Sequence, residues 1–252
     1  MRQHHANDWF EFKQFRVEQG HSGMKVTTHA CVFGSLVPVA GARCVLDIGA
    51  GTGLLSLMLA QRSTAVIDAV ELDAGACADA ARNFSASPWS GRLHLHCGPI
   101  QTFLLPQLPF LSPPEPRYDC VISNPPFFSG SWRAGDDARN LARHDDALTL
   151  TQLLSLAGGV LAPAGMIWLL LPVEADARLT AALGHTGLRL RQQIDLRSKP
   201  DKPVARRIVG LVHPTPGVDP PRPHRRELCI HDPYPAYSPD CLGLLRPYYL
   251  SL

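Results

Sequence analysis

A short stretch near residue 50 constrains the fold of this chain more than any other. An apolar run at residues 43–48, which contains Asp47, leads into three glycines and then into an apolar helical segment at residues 54–62. The glycines stand at alternate positions, Gly49, Gly51 and Gly53. Glycine permits a tight turn and lets a bound group approach the backbone closely. The helix lacks the Lys-Ser/Thr pair of a phosphate-binding loop, so the stretch predicts a different kind of nucleoside-binding strand–loop–helix unit.

The next predicted strand, residues 65–73, ends in acidic residues. Glu71 is placed to accept hydrogen bonds from both hydroxyls of a ribose, as the acid after the second strand does in nucleoside-binding α/β folds. A nicotinamide-dependent dehydrogenase would also combine a glycine loop with such an acid. Asp47 inside the loop, and a proline-rich turn further along the chain, argue against that interpretation.

That turn follows a predicted strand at residues 118–122 and reads Asn124-Pro125-Pro126-Phe127. Two prolines cannot donate ladder hydrogen bonds and fix their own φ, so the backbone leaves the sheet in one stiff shape. The side-chain oxygen of Asn124 and the carbonyl of Pro125 can both accept from one NH2 group, while Phe127 offers a face for stacking. The turn therefore predicts a site for a flat, amine-bearing group, although an Asn-Pro turn followed by core phenylalanines has the same sequence.

Strands and helices alternate along the chain, which predicts a mostly parallel sheet with crossover helices. Further strands are predicted at residues 92–97, 166–171, 188–196 and 207–212, and further helices at 30–36, 74–84, 148–161 and 174–183. Together these make a seven-stranded sheet in which the last two strands form an antiparallel hairpin at the edge. Residues 9–28 alternate as a short strand or hairpin would, and Thr27 or Thr28 could cap the helix that follows. The tyrosine-rich tail after residue 233 predicts a packed C-terminal helix.

The composition excludes several classes of protein. The formal net charge of the 252 residues is only +2, so any nucleic-acid surface must be local. Seven dispersed cysteines without a Cys-x-x-Cys pair predict reduced thiols in a cytoplasmic protein, with neither a disulfide framework nor a metal site. No apolar run is long enough for a membrane span, and nothing indicates an obligate protein partner.

Two loops carry cations that could meet RNA phosphates. The segment 129–146 contains Arg143 among other arginines and follows the proline turn, as a lid or a disordered segment would. The segment 197–207 contains Lys199, Lys202 and Arg206, and is either a solvated charged hairpin or a phosphate contact. The proline-dense segment 105–116 is more consistent with extended chain than with helix.

The glycine loop resembles the first motif of class I S-adenosylmethionine-dependent methyltransferases, and Asn-Pro-Pro-Phe resembles the motif of those that methylate amines conjugated to a planar system. A narrower resemblance, spanning about residues 10–250, is to the bacterial tRNA(Val) adenine-N6 methyltransferases, which modify the adenosine on the 3′ side of the anticodon. It is carried by residues 12–15, 24–28, 83–89, 124–127 and 142–144. It implies a single Rossmann-like methyltransferase domain over residues 1–252, with 1–40 as an N-terminal cap and 41–252 as the catalytic core.

The same resemblance, with the motifs above, assigns roles to individual residues. Catalysis would rest on Asn124, Pro125, Pro126 and Phe127. S-adenosylmethionine would be held by Lys25, Thr28, Asp47, Gly49, Gly51, Gly53, Glu71, Leu72, Ile100 and Asn124. The anticodon loop of the tRNA would contact Phe127, Phe128, Arg143, Lys199, Lys202 and Arg206. No metal is expected.

Two positions depart from the family pattern. His29 stands where family members usually carry Asp, which bears on polar contacts to the methionine end of the cofactor. Pro99 occupies the place of an Asp that often holds the adenine amine, so that contact would rely on backbone N–H groups and Ile100. Three alternatives stay open at this point: an N5-glutamine protein methyltransferase, a small-molecule methyltransferase, and a non-catalytic RNA-binding protein on the same fold.

Overall fold

One large sheet with helices on both faces organises the computed structural model, which describes residues 8–104, 118–126, 148–217, 221–234 and 236–252. The strands are β1 (Trp9–Glu11), β2 (Arg16–Glu18), β3 (Cys44–Ile48), β4 (Val66–Glu71), β5 (Leu93–Cys97), β6 (Tyr118–Ser123), β7 (Leu161–Pro172), β8 (Arg189–Arg197), β9 (Val204–Val212) and β10 (His224–Cys229). The α-helices are α1 (Thr28–Leu36), α2 (Leu54–Gln61), α3 (Ala74–Ser85), α4 (Ile100–Leu104), α5 (Leu150–Val160), α6 (Asp176–Thr186) and α7 (Pro239–Leu245).

The large sheet has the strand order β10-β8-β9-β7-β6-β3-β4-β5 in the described residues. Strand β9 is antiparallel to both of its neighbours, and every other neighbouring pair is parallel. The Rossmann-like, mostly parallel α/β sheet predicted from the sequence is therefore confirmed.

Two apolar layers cover the two faces of this sheet. On β7 the side chains of Trp168 and Leu170 enter one layer, while Ile167, Leu169 and Leu171 enter the other. This alternation is the period of two that a strand buried on both faces produces. Each fully buried side chain of this size contributes about 1.5–3 kcal/mol to stability.

The prediction of seven strands with the β8–β9 hairpin at the edge is wrong. The described chain has an eighth strand in this sheet, β10, which pairs in parallel with β8 and so places the hairpin inside the sheet. The sequence of β10, His-Arg-Arg-Glu-Leu-Cys, is mostly polar, and only Leu228 of it is buried. An edge strand needs one partner strand and little burial, so apolar alternation could not reveal it.

The N-terminal segment forms a small antiparallel sheet of its own, β1 paired with β2, as the hairpin prediction required. It lies over α3 and the C-terminal tail: the backbone N–H of Lys13 donates to the carbonyl of Tyr248 at 2.7 Å. Helix α1 then begins at Thr28, and the hydroxyl of Thr27 accepts from the backbone N–H of Ala30 at 3.2 Å. The predicted cap is thereby confirmed for Thr27.

One other expectation needs correction. Strand β7 begins at Leu161 and not at residue 166, and the pairing of β6 with β7 shifts register between Tyr118 and Cys120. The predicted C-terminal helix is present as the short α7, and Tyr248 packs beyond it, donating to the carbonyl of Met58 at 3.2 Å. The segments 105–116 and 129–146 lie outside the described residues. In the described part of the chain, no helix is long and apolar enough to cross a membrane.

Candidate active site

The candidate site lies at the point of the sheet where the strand order reverses, between β3 and β6. From β3 the chain continues to β4 and β5 on one side of the sheet, and then returns to β6 on the other side of β3. In open α/β sheets ligands bind outside the carboxyl ends of the strands at such a switch point. The glycine loop follows β3 and the Asn124 turn follows β6, so the fold brings these two motifs to one crevice.

The glycine loop has the backbone that its sequence demands. Gly49, Gly51 and Gly53 adopt φ angles of +72°, +58° and +79°, a region that favours glycine. The N–H groups of Gly49 and Ala50 donate to the carbonyl of Val70 at 2.9 and 3.1 Å, which ties the loop to β4. A Cβ at Gly49 or Gly51 would meet no atom within 4 Å, so the backbone there is open to a bound group.

Glu71, at the end of β4, is held by the loop itself. Its Oε2 accepts from the backbone N–H of Gly51 at 2.7 Å, and its Oε1 accepts from the N–H of Asp73 at 2.7 Å. Two carboxylate oxygens provide about four acceptor positions, so these bonds orient the group and leave capacity for ribose hydroxyls. Leu72, beside it, is exposed and available to a ligand.

Asp47 is an acid in the interior. It is fully buried, its Oδ2 accepts from the hydroxyl of Ser56 at 2.7 Å, and its Oδ1 has no hydrogen-bond partner among the described residues. The pKa of Asp47 is raised to about 7: burial raises it most, the hydrogen bond from Ser56 lowers it, and the nearby charge of Glu71 raises it. A carboxylate in this position is stabilised by a nearby cation. The acids and the open glycine backbone thus fit a nucleoside that carries positive charge, as S-adenosylmethionine does.

The Asn124 turn lies against this loop. The hydroxyl of Ser123, the residue before it, donates to the carbonyl of Ile48 at 2.6 Å, and Asp47 pairs with Ile122 across the two strands. Asn124 and Pro125 are half-buried and Pro126 is exposed. The turn therefore lies at the carboxyl edge of the sheet, one strand away from the glycine loop.

Two residues of α3, Asn83 and Phe84, hold the glycine loop in place. Neither of them was assigned a role from the sequence. Asn83 is buried, and its Nδ2 donates to the carbonyls of Thr52 and Glu18, at 2.9 Å each, while its Oδ1 accepts from the N–H of Glu18 at 2.7 Å. The ring of Phe84 packs so closely on Gly53 that a Cβ there would lie 2.3 Å from it. One amide side chain thus connects the glycine loop to the N-terminal hairpin.

Asp79 anchors the segment that leads into α1. This fully buried carboxylate accepts from the backbone N–H groups of His21 and Ser22 at 2.9 and 2.8 Å, and it pairs with Arg82. Burial alone would raise the pKa of Asp79, but hydrogen bonds from the His21 side chain and from these two N–H groups outweigh it and lower the pKa. The signal in the sequence was two polar residues, Asp79 and Asn83, four apart on the apolar stripe of α3, a pattern that predicts buried partners.

The N-terminal residues predicted to hold the cofactor lie at the entrance to α1. Lys25 is exposed and its ammonium donates to the carbonyl of Gln19, while Thr28 is the first residue of the helix. His29 has a buried Nε2 without a hydrogen-bond partner among the described residues. Burial lowers the pKa of His29, and the nearby side chains of Arg206 and His231 lower it further. The position at which the resemblance predicted an acid therefore lies near a cation, Arg206.

The remaining predicted residues divide into three groups. Ile100 is buried in the apolar layer that also contains Ile48 and Val70, and its contact to an adenine stays a prediction. Lys199 and Lys202 lie in the turn between β8 and β9, and Arg206 lies near the start of β9. Phe127, Phe128 and Arg143 lie outside the described residues.

The turn that carries the lysines is at the same edge of the sheet as the site. Strand β8 runs in the direction of β7 and β6, because β9 is antiparallel to both β7 and β8. The carboxyl end of β8 therefore lies at the edge where β3 and β6 end. The turn is held by Arg197, which donates to the carbonyl of Lys202 at 2.7 Å and to Glu227 at 2.6 Å.

The fold and the site define a class of protein. The family model described as "Methyltransferase small domain" matches residues 22–176, a span that contains the glycine loop, Glu71 and Asn124. A solved structure of a predicted O-methyltransferase from Agrobacterium tumefaciens has a TM-score of 0.65 at 18% sequence identity, covering 86% of this chain and 95% of that chain. The chain thus has the class I methyltransferase fold.

Two relatives narrow this class. The tRNA1(Val) (adenine(37)-N6)-methyltransferase of Cytophaga hutchinsonii is 36% identical over 248 residues, which are 98% of this chain and 100% of the relative. The enzyme of the same name from Shewanella loihica is 38% identical over 245 residues, covering 96% of this chain and 99% of the relative. The chain belongs to this family of tRNA1(Val) (adenine(37)-N6)-methyltransferases. The resemblance found in the sequence is thereby confirmed.

Proposed function

We propose that this protein transfers a methyl group from S-adenosylmethionine to the N6 amine of adenosine 37 in tRNA1(Val). The observation that carries the proposal is the position of Asn124, one strand from the glycine loop at the switch point of the sheet, in a chain of this family. The glycine loop, Asp47 and Glu71 would hold the cofactor, which supplies a methyl group already activated on a sulfonium.

The chain's part in the reaction is to orient a weak nucleophile. The lone pair of an adenine amine is delocalised into the ring, so the nitrogen attacks poorly. The Asn124 side-chain oxygen and the Pro125 carbonyl would accept the two N–H bonds of this amine and aim its lone pair at the methyl group. Orientation of two reactants can contribute about 7–11 kcal/mol in the best intramolecular cases.

The target base must lie outside a stack to reach this turn. An unpaired loop presents such a base at little cost, because no Watson–Crick pair has to break. Phe127, the aromatic residue of the motif, would replace the lost stacking. These demands match the anticodon loop.

A methyl-transfer assay tests the proposal. The protein is incubated with labelled S-adenosylmethionine and one of two acceptor pools, unmodified total tRNA or a protein extract. The products of the two parallel reactions are then digested. We expect label in N6-methyladenosine from tRNA, mapped to position 37 of tRNA1(Val). Label in glutamine of protein, or in neither pool while the cofactor still binds, would contradict the proposal.

A further inference from the structure

The free edge of the large sheet carries exposed cations that the site described above does not use. Strand β10 is this edge, and the first residues of β8 lie beside its beginning. The exposed arginines here form what we call the edge surface: Arg189, Arg191, Arg222, Arg225 and Arg226.

The charge of the chain is concentrated in this part of it. Residues 189–227 contain ten Lys and Arg against four Asp and Glu, a formal charge of +6 in a chain whose total is +2. The rest of the chain is therefore net negative by four charges. Such asymmetry within a nearly neutral protein marks a local surface for a polyanion.

The arginines of the edge surface are not neutralised by neighbours. Among the described residues, the nearby acids are committed elsewhere: Glu227 pairs with Arg197 at 2.6 Å and Asp195 with Arg207 at 2.9 Å. No arginine of the edge surface has an ion pair with a described carboxylate. Five exposed, uncompensated guanidinium groups along one strand edge suit the phosphates of a nucleic-acid backbone.

The edge surface continues the basic turn at the site and leads away from it. Arg225 pairs with Gln193, four residues before Arg197 at the site end of β8. At roughly 3.3 Å per residue the surface begins at Arg226, which pairs with Ile194 roughly 10 Å from the turn, and it reaches roughly 26 Å at Arg189. Successive residues of a strand point to opposite faces, so Arg225 and Arg226 line both sides of the edge, and a ligand would follow the edge itself.

We propose that the edge surface binds the backbone phosphates of the tRNA stem adjoining the loop that enters the site. The inference rests on the proposed function, because it takes the anticodon loop as the group at the Asn124 turn. With one base held there, the cations that lie farther along the edge contact nucleotides outside the loop. The substrate is therefore recognised as a loop on its stem, and an isolated loop lacks this part of the interface.

A pair of matched double variants tests the edge surface. R225Q/R226Q removes two charges from it, and R43Q/R246Q removes two exposed charges outside it, one before β3 and one after α7. Equilibrium binding of tRNA is measured at several salt concentrations, which needs no turnover, and KM and kcat are measured with tRNA and with a loop oligonucleotide that lacks the stem. Thermal melts establish that all variants are folded.

For R225Q/R226Q we expect tRNA affinity to fall on the order of tenfold and the salt dependence to lose up to about two released counterions. KM for the cofactor, kcat, and all constants for the loop oligonucleotide should match wild type, and R43Q/R246Q should match it throughout. Equal loss in both variants, or equal loss on the loop oligonucleotide, would overturn the inference. Unchanged tRNA binding with increased aggregation would also overturn it, since edge cations would then only prevent strand pairing. If wild type binds tRNA in this manner but methylates none, the proposed function fails and the surface stands.

Discussion

The two halves of the sheet on either side of the switch point differ in charge and in how their groups are held. On the β3–β5 side the acids Asp47, Glu71 and Asp79 are buried or half-buried and accept hydrogen bonds from nearby groups. On the β7–β10 side the cations are mostly exposed, and those of the edge surface have no described ionic partner. The first half suits a small cationic cofactor and the second a long polyanion, with Asn124 at the boundary.

The two halves also differ in how precisely their binding groups must be positioned. A cofactor is bound by atoms within one crevice, so each group there must be fixed within a fraction of an ångström. An RNA backbone is bound by many weak contacts that are additive and dependent on salt. We therefore expect substitutions on the first half to act on fold and catalysis, and those on the second to act on KM for RNA.

Replacement of Asn124 by Ala, at the boundary, should have the largest effect. It removes an acceptor for the amine of the target base, so we expect kcat to fall on the order of 10³-fold, as when one transition-state hydrogen bond is lost. The melting temperature and the affinities for cofactor and tRNA should stay near wild type. Single-turnover kinetics with cofactor titration measures these quantities.

Gln101→Ala, which removes an exposed amide from α4, is the matched control and should leave kcat unchanged. Undiminished turnover in Asn124→Ala would remove the amide from the mechanism. A parallel loss of cofactor affinity would instead show that Asn124 contributes to binding the cofactor.

Gly53→Ala should be the most destabilising change on the cofactor side. Its φ of +79° strains any other residue, and its Cβ would lie 2.3 Å from the Phe84 ring. Strain and overpacking together should lower the free energy of unfolding by about 3 kcal/mol. Gly41 has a φ of +81° with no atom within 4 Å of its Cβ position, so Gly41→Ala should cost only the strain, about 1 kcal/mol.

Chemical denaturation of both variants separates the two contributions, and Gly53→Ala combined with Phe84→Leu should recover part of the loss. Equal destabilisation of Gly41→Ala and Gly53→Ala would show that the Phe84 contact does not hold the loop.

The two halves were also unequally predictable from sequence. The apolar strand, the three glycines and Glu71 lie close together in the chain, and together they form a local pattern of strand, glycine turn, helix and second strand ending in an acid, so the structure of residues 43–71 could be predicted from the sequence. The proximity of Asn124 to the glycine loop follows from the parallel sheet, because the carboxyl ends of β3 and β6 lie at the same edge. In contrast, β10 has no apolar period, because an edge strand exposes most of its side chains and gains its position from hydrogen bonds to β8.

Contacts distant in sequence were the second gap. Asn83 joins Thr52 to Glu18, and these residues lie 31 and 65 positions away from it. A polar residue on an apolar helical stripe indicates that a partner exists, and the folded chain is needed to say which. The same holds for His29, whose neighbours Arg206 and His231 come from the other end of the chain.

A smaller effect than that of Gly53→Ala is a pH-dependent gain in stability from Asp47→Asn. Burial raises the pKa of Asp47 to about 7, from about 4 in an unfolded chain, so the folded state binds the extra proton between these values. Wild type therefore loses stability as pH rises from about 4 to 7, because an ionised carboxylate must then stay buried. Asn does not titrate and keeps an acceptor for the Ser56 hydroxyl.

Relative to wild type, Asp47→Asn should thus gain stability between pH 5 and pH 8. The pKa shift of Asp47 corresponds to at most about 4 kcal/mol of stability. The new amide NH2 group needs an acceptor, and this cost offsets part of the gain. We therefore expect Asp47→Asn to be more stable than wild type by about 1–2 kcal/mol at pH 8. Urea denaturation at both pH values measures it, and cofactor affinity should fall in the same variant because a negative charge beside the glycine loop, which would stabilise a bound cation, is lost. A difference between wild type and Asp47→Asn that is the same at pH 5 and pH 8 would mean that Asp47 is ionised throughout. Binding of a cationic ligand would then release no proton from Asp47.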